Sequence, residues 1–237
     1  MNADFSAVVV AAGESRRFRS HPDYPNLGQK NLIEWDSKPL FIHTLLNLSK
    51  VRSFKEIALV IRPEDERNIQ AWVDQGLSCL DSTRVHLVYG GRFRKDSVRH
   101  GLEALSECQK VAIHDAARPF LGERFLTRLF EMSQQLKALI PVLPISETVK
   151  EVDEKGIVKR TLDRRRLFRI QTPQIFDYVL LKSLHQKFKD SPIEFTDDAM
   201  MFEAANIEVH TCAGEASNIK VTTPEDLIYS GVQLKSA

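Results

Sequence analysis

The chain has 237 residues, 33 of them Lys or Arg and 32 Asp or Glu, and the resulting formal charge of +1 argues against nucleic acid as a partner. Its three cysteines, Cys79, Cys108 and Cys212, are odd in number and lack metal-ligand spacing, which argues against zinc and disulfides and predicts small buried hydrophobes in a reducing compartment. The N-terminus lacks the basic region and apolar core of a signal peptide and no apolar run reaches membrane-spanning length, so a cytoplasmic protein without membrane association is expected.

From the N-terminus, strand-like apolar runs at Ala7–Ala12, Ile57–Arg62, Val85–Tyr89, Val111–His114 and Ala138–Leu143 alternate with helical patterns at Leu40–Ser49, Glu64–Asp74, Asp96–Ser106 and Glu123–Leu136. This alternation predicts an α/β fold, a Rossmann-like three-layer sandwich around a mostly parallel sheet, with residues 1–237 forming a single domain. Between Thr148 and Thr161 polar and apolar residues alternate around Asp153-Glu-Lys-Gly156, which predicts a β-hairpin too small to stand alone. It is expected to project as an arm over about 146–164 and to pack on a second copy of the chain, giving a homodimer. A loop at Gln171–Gln174, helices around Tyr178–Phe188 and Asp197–Ala205, a strand at Ile207–Thr211 and a helix opening at Thr223-Pro224-Glu225 complete the reading.

Three of these strands end in segments suited to chemistry. Val111-Ala-Ile-His-Asp-Ala-Ala-Arg-Pro119 runs from apolar residues into Asp115 and Arg118, and in open α/β sheets ligands bind beyond the carboxyl ends of the strands. One residue suits a cation and the other an anion; alternatively they form an ion pair that closes a turn. The first strand empties into Ala11-Ala-Gly-Glu-Ser-Arg-Arg-Phe18, where small residues and two arginines suit phosphate, although an ordinary tight turn gives the same pattern. Lys30 follows across a polar loop. The third strand ends in Gly90-Gly-Arg-Phe-Arg-Lys-Asp-Ser-Val98, whose glycines would let backbone meet a base edge, while Asp96 or Ser97 could equally cap the next helix. Lys220 reads by itself as a solvated lysine and His114 as a hydrogen-bonded core residue. The other histidines form no ligand spacing.

Ala11-Ala-Gly13 with Arg17, Gly90-Gly91 with Asp96-Ser-Val98, His114-Asp-Ala-Ala-Arg-Pro119, Thr172-Pro-Gln174, Thr196-Asp197 and Asn218-Ile-Lys-Val-Thr-Thr-Pro-Glu-Asp-Leu227 together resemble the 2-C-methyl-D-erythritol 4-phosphate cytidylyltransferase family, collinearly over almost the whole chain. The resemblance implies transfer of CMP from CTP to a polyol phosphate, with release of pyrophosphate and magnesium as the metal, in non-mevalonate isoprenoid synthesis. It implies Arg17 and Lys30 on the triphosphate, Lys220 at the phosphate under attack, and Ala11, Ala12, Gly13, Gly91 and Ser97 around the nucleotide. Asp115 would lie near both magnesium and the nucleotide. Thr148, Arg164 and Thr196 would hold the sugar phosphate, with Arg164 carried on the arm across a dimer interface.

Phosphoryl transfer suits these residue types, because it asks the protein mainly to position groups and neutralise charge on oxygens. The chain departs from the family pattern near the nucleotide loops. Asn31 follows Lys30 where glutamine is usual, the loop before Lys30 contains Pro22 and Pro25 and is longer, Glu14 and Ser15 replace small or apolar residues, and Arg92 replaces a commonly acidic one. Cytidylyl transfer to ribitol 5-phosphate and nucleotide binding without turnover stand as alternative readings.

Overall fold

The computed structural model describes residues 4–23, 28–51, 54–76, 84–229 and 231. The longest apolar runs become strands buried on both faces, a pattern that needs helices on either side of the sheet. In chain order the first half comprises β1 (Phe5–Val10), α1 (Arg16–Arg19), a small ribbon of β2 (Glu34–Trp35) and β3 (Lys38–Pro39), α2 (Leu40–Ser49), β4 (Glu56–Ile61), α3 (Glu66–Gly76), β5 (Arg84–Tyr89) and α4 (Arg94–Ala104). There follow β6 (Lys110–Asp115), α5 (Glu123–Ser133), β7 (Ala138–Pro144), β8 (Lys150–Val152), β9 (Val158–Thr161), β10 (Phe168–Ile170) and β11 (Gln174–Asp177). The last elements are α6 (Tyr178–Lys187), α7 (Ala199–Ala204), β12 (His210–Ala213) and α8 (Pro224–Tyr229).

The main sheet has the order β10-β7-β11-β6-β1-β4-β5, with β12 beside β7. Pairing is parallel from β6 through β1 and β4 to β5, and again between β7 and β12. The antiparallel strands β10 and β11 are the departure from the sequence reading. Gln174, expected in a loop, opens β11, which inserts between β6 and β7 and pairs with both. Two core clusters cover the two faces: Leu45, Phe125 and Leu129 on one side, Val98, Leu181 and Phe202 on the other. This is the expected three-layer sandwich.

The chain leaves β1 toward β4 and β5 on one side and places β6 on the other, so β1 lies at a reversal of strand order. Such a switch point opens a crevice beyond the strand ends. The loops after β1, β5 and β6 all enter it.

The expected hairpin is present as β8 and β9, paired Lys150 to Thr161 and Glu151 to Arg160. Every residue of both strands is exposed, and Val152, Ile157 and Val158 each present more than half their surface. Some boundaries differ from the reading. α4 begins at Arg94 rather than Asp96, because the Asp96 carboxylate accepts from the Phe93 N–H and so caps the helix from within its first turn. β12 starts at His210, whereas Ile207 and Val209 pack against the core ahead of it. Cys108 and Cys212 are buried free thiols whose pKa burial pushes up; Cys79 and Pro25 lie outside the described residues. Among the described residues no helix is long and apolar enough to cross a membrane.

Candidate active site

After β1 the backbone peels off the sheet, with the Ala11 N–H donating to Val60 O at 2.7 Å. Ser15 takes a left-handed conformation, φ 54°, and starts the single turn α1. Phe18 anchors that turn, fully buried against Leu40, Val221 and Leu227. The same anchor draws the C-terminal segment with Lys220 toward the loop.

The glycines after β5 are required by close approach. A Cβ on Gly90 would lie 2.5 Å from the Ala12 Cβ, and one on Gly91 would lie 2.3 Å from the Asp96 Cβ. With only hydrogen there, the two loops touch, and the Gly91 N–H donates to Ser97 Oγ at 3.1 Å.

Asp115 at the end of β6 is held from behind. Its N–H donates to Thr172 Oγ1 at 3.1 Å, while that hydroxyl lies 2.9 Å from His114 Nδ1. Burial keeps His114 neutral, with its pKa lowered to about 4. The chain therefore reads as Asp115 N–H to Thr172 hydroxyl to His114 Nδ1, with His114 Nε2 3.2 Å from Arg118 O. His114 is the core residue expected. Asn218 Nδ2 donates to Thr172 O at 2.9 Å, and Lys220 two residues on meets Asp115 Oδ2 at 2.6 Å. Lys220 is thus an ion-pair partner rather than a solvated lysine. Burial opposes ionisation of Asp115, but the nearby charges of Lys220 and Arg94 outweigh it and hold the carboxyl far below the usual range.

Lys30 enters from the opposite wall and donates to Val221 O at 2.9 Å. Burial first and the Lys220 charge second lower its pKa to about 8, and Arg17 contributes in the same direction. Arg94, at the start of α4, pairs with the buried Asp198 at 2.7 Å; Asp198 also accepts from His185 Nε2 at 3.0 Å.

Of the residues singled out in the sequence, Ala12, Gly13, Lys30, Gly91, Ser97, Asp115 and Lys220 line one cleft of about 390 Å³, with Ala11 buried beneath it. Arg16 rather than Arg17 lines it and pairs with Glu14; Arg17 is exposed nearby. Thr196 lines an adjoining cavity of about 560 Å³ that shares Phe93 and Arg94 with the cleft. Thr148 and Arg164 are not among the residues lining the cleft; both are exposed at the arm, and Arg164 donates to Ser146 O. Arg118 does not close the turn as an ion pair with Asp115. Its guanidinium donates to Asn218 O and Ile170 O.

Sequence reading gave no role to Arg94 or Gln29 and noted Asn31 only as a departure from the family pattern. Only Arg94, three residues beyond Gly91, offered a signal. The fold also groups His21 with Asp23 and Glu225, with His21 Nε2 2.7 Å from Glu225 Oε1, an association invisible in linear spacing.

The model of the 2-C-methyl-D-erythritol 4-phosphate cytidylyltransferase family matches residues 5–236. The chain belongs to this family. A relative of that name from Alkaliphilus metalliredigens (strain QYMF) is 37% identical over 225 residues, covering 94% of this chain and 90% of the relative. One from Dehalococcoides mccartyi (strain CBDB1) is 35% identical and covers 99% and 98%. The crystal structure of 4-diphosphocytidyl-2C-methyl-D-erythritol synthase from Anaerococcus prevotii DSM 20548 superposes with a TM-score of 0.81 at 31% identity, covering 97% of both chains.

Family members are nucleotidyltransferases, a class whose chemistry commonly uses a divalent metal. The donor set suits a hard cation: Asp115 is an ionised carboxylate on the wall of a cleft open to phosphate ligands. Magnesium typically takes one or two protein carboxylates and completes its shell with phosphate and water.

If Lys30 meets the triphosphate, ligand affinity depends on pH. Protonated Lys30 favours a polyphosphate, and with a pKa of about 8 it loses that charge as pH rises through 8. Calorimetric titration with CTP is expected to show affinity falling between pH 7.5 and 9, roughly as the protonated fraction falls. Lys30→Met should flatten the profile. A wild-type affinity unchanged up to pH 9 would contradict this assignment.

Proposed function

We propose that this chain transfers CMP from CTP to 2-C-methyl-D-erythritol 4-phosphate, giving 4-diphosphocytidyl-2-C-methyl-D-erythritol and pyrophosphate in non-mevalonate isoprenoid biosynthesis. The observation that carries the reading is the coincidence of a whole-chain family match with one cleft at the switch point that gathers Lys30, Lys220, Asp115 and the two small-residue loops. The working unit is one nucleotidyltransferase domain over residues 1–237 with its arm at about 146–164.

No protein nucleophile is needed. An oxygen of the acceptor's phosphate attacks the α-phosphorus of CTP, and the bond to the departing pyrophosphate breaks in line with it. The base and ribose rest against Ala11, Ala12, Gly13, Gly91 and Ser97. Lys30 on the cleft wall and Arg17, exposed beside it, hold the triphosphate, so the charge that grows on the leaving oxygens meets cations. Lys220 leaves its pairing with Asp115 to hold the attacked phosphate. Asp115 would hold a magnesium ion, which when bound supplies charge neutralisation on the phosphate oxygens.

Thr196, in the cavity that adjoins the cleft, takes the acceptor's phosphate together with Thr148 and Arg164. The last two reach it from the arm of a second copy, because both lie away from the cleft of their own chain. Support for a dimer comes from the exposed apolar residues Val152, Ile157 and Val158 on the arm and Phe168 and Ile170 at its base. Light scattering after gel filtration is expected to give twice the chain mass at micromolar concentration; monomer alone would remove Thr148 and Arg164 from the site.

CTP-dependent release of pyrophosphate, assayed with each polyol phosphate in turn, tests the activity. We expect turnover with 2-C-methyl-D-erythritol 4-phosphate at least about a hundredfold above that with ribitol 5-phosphate, the discrimination available when a pocket is built around one substrate's hydrogen bonds. The reverse preference would assign the ribitol reaction. CTP binding with no turnover on either acceptor would make the chain a nucleotide-binding protein.

A further inference from the structure

The segment that delivers Lys30 also carries two side-chain amides that act on the loop opposite. Gln29 Nε2 donates to Gly13 O at 2.7 Å and Asn31 Nδ2 donates to Ala11 O at 2.9 Å. The two residues are only 8% and 4% exposed, and they bracket Lys30, whose ammonium reaches Val221 O. One short stretch thus ties both the loop after β1 and the C-terminal segment that bears Lys220.

A loop that binds phosphate must present N–H groups and keep its carbonyls away, since a carbonyl oxygen facing a phosphate oxygen repels it. Ala11 O and Gly13 O are engaged by the amides, whereas the N–H groups of Ala12, Gly13 and Glu14 have no protein acceptor among the described residues. The loop is therefore polarised, with its acceptors occupied and its donors available. The amides are retained at a cost. Gln29 Oε1 and Asn31 Oδ1 are buried without a protein partner among the described residues, a burden an apolar side chain would not bring.

We propose that Gln29 and Asn31 are positioning residues that fix the polarity of the Ala11–Gly13 loop, turning its carbonyls inward so that its amides face the ligand's phosphates. The inference rests on reading this loop as the triphosphate site. Without the side-chain donors, Gly13 O and Ala11 O need other partners, and the peptide planes can rotate to bring oxygen toward the anion. Asn31 lines the cleft and Gln29 is buried behind it; Gln29→Met keeps volume while removing the side-chain amide, and Asn31→Ala removes the second amide.

Pyrophosphate, CTP and CMP binding to the full-length protein, measured by calorimetry alongside melting temperature and steady-state kinetics, separates the possibilities. Gln29→Met and Asn31→Ala are each expected to weaken pyrophosphate and CTP about tenfold or more, raising KM for CTP, while CMP affinity moves less than about threefold. If either variant lowers the melting temperature but binds all three ligands in wild-type proportion, the amides are only structural struts and the inference falls. Equal weakening of CMP and pyrophosphate would overturn it likewise. Wild-type protein that binds CTP but not pyrophosphate would refute the loop's polyphosphate role and the inference together, whereas variants indistinguishable from a pyrophosphate-binding wild type would refute the inference alone.

Discussion

The site depends on one carboxylate placed among cations. Asp115 sits at the end of a buried strand and meets Lys220 at 2.6 Å, within the fields of Arg94 and Arg118. A carboxylate in that position would be costly if unpaired, and its ion pair is no free gain of stability either, because both charges give up water. What it provides is arrangement. The pair fixes the C-terminal segment against the strand edge and holds Lys220 where a phosphate or a cation can separate the two groups.

The surrounding structure serves that placement. Thr172, His114 and Asn218 form a neutral hydrogen-bonded backing that holds the backbone of Asp115 at the strand end. His114 does this only while unprotonated, which burial secures down to about pH 4. Phe18 and Val221 share a small core cluster, and that packing brings the loop after β1 and the segment of Lys220 to the same crevice. Gly90 closes the third side by letting backbone pass where a Cβ would strike Ala12. The crevice itself follows from topology, since β1 lies where the strand order reverses.

Much of this was legible in the sequence, for physical reasons that differ by element. β1, β4, β6 and β7 announced themselves because strands covered on both faces are continuous apolar runs. β11 did not: Gln174-Ile-Phe-Asp177 is four residues long, begins right after Pro173 and has no period to display. The two glycines after β5 were visible as a loop, but the close contact that demands them involves Ala12, far away in the chain. Arg94 with Asp198 and His185, and Gln29 and Asn31 with the carbonyls of the first loop, are long-range pairings between residues that look like ordinary loop and helix polar groups. Cytidine and the methylerythritol acceptor came from family resemblance, because spacing alone speaks only of an anion and a cation at a strand edge.

On the proposal that Asp115 holds a magnesium ion, this carboxylate is kept ionised for a cation within a cleft lined by Lys30 and Lys220. Calorimetric titration of CTP into wild-type protein and Asp115→Asn, each with and without magnesium, addresses it directly. In the absence of metal the asparagine variant should bind CTP as tightly as wild type or more tightly, having lost one negative charge from the cleft. Magnesium should strengthen binding to wild type and add little to the variant. An equal magnesium enhancement in both proteins would contradict the claim.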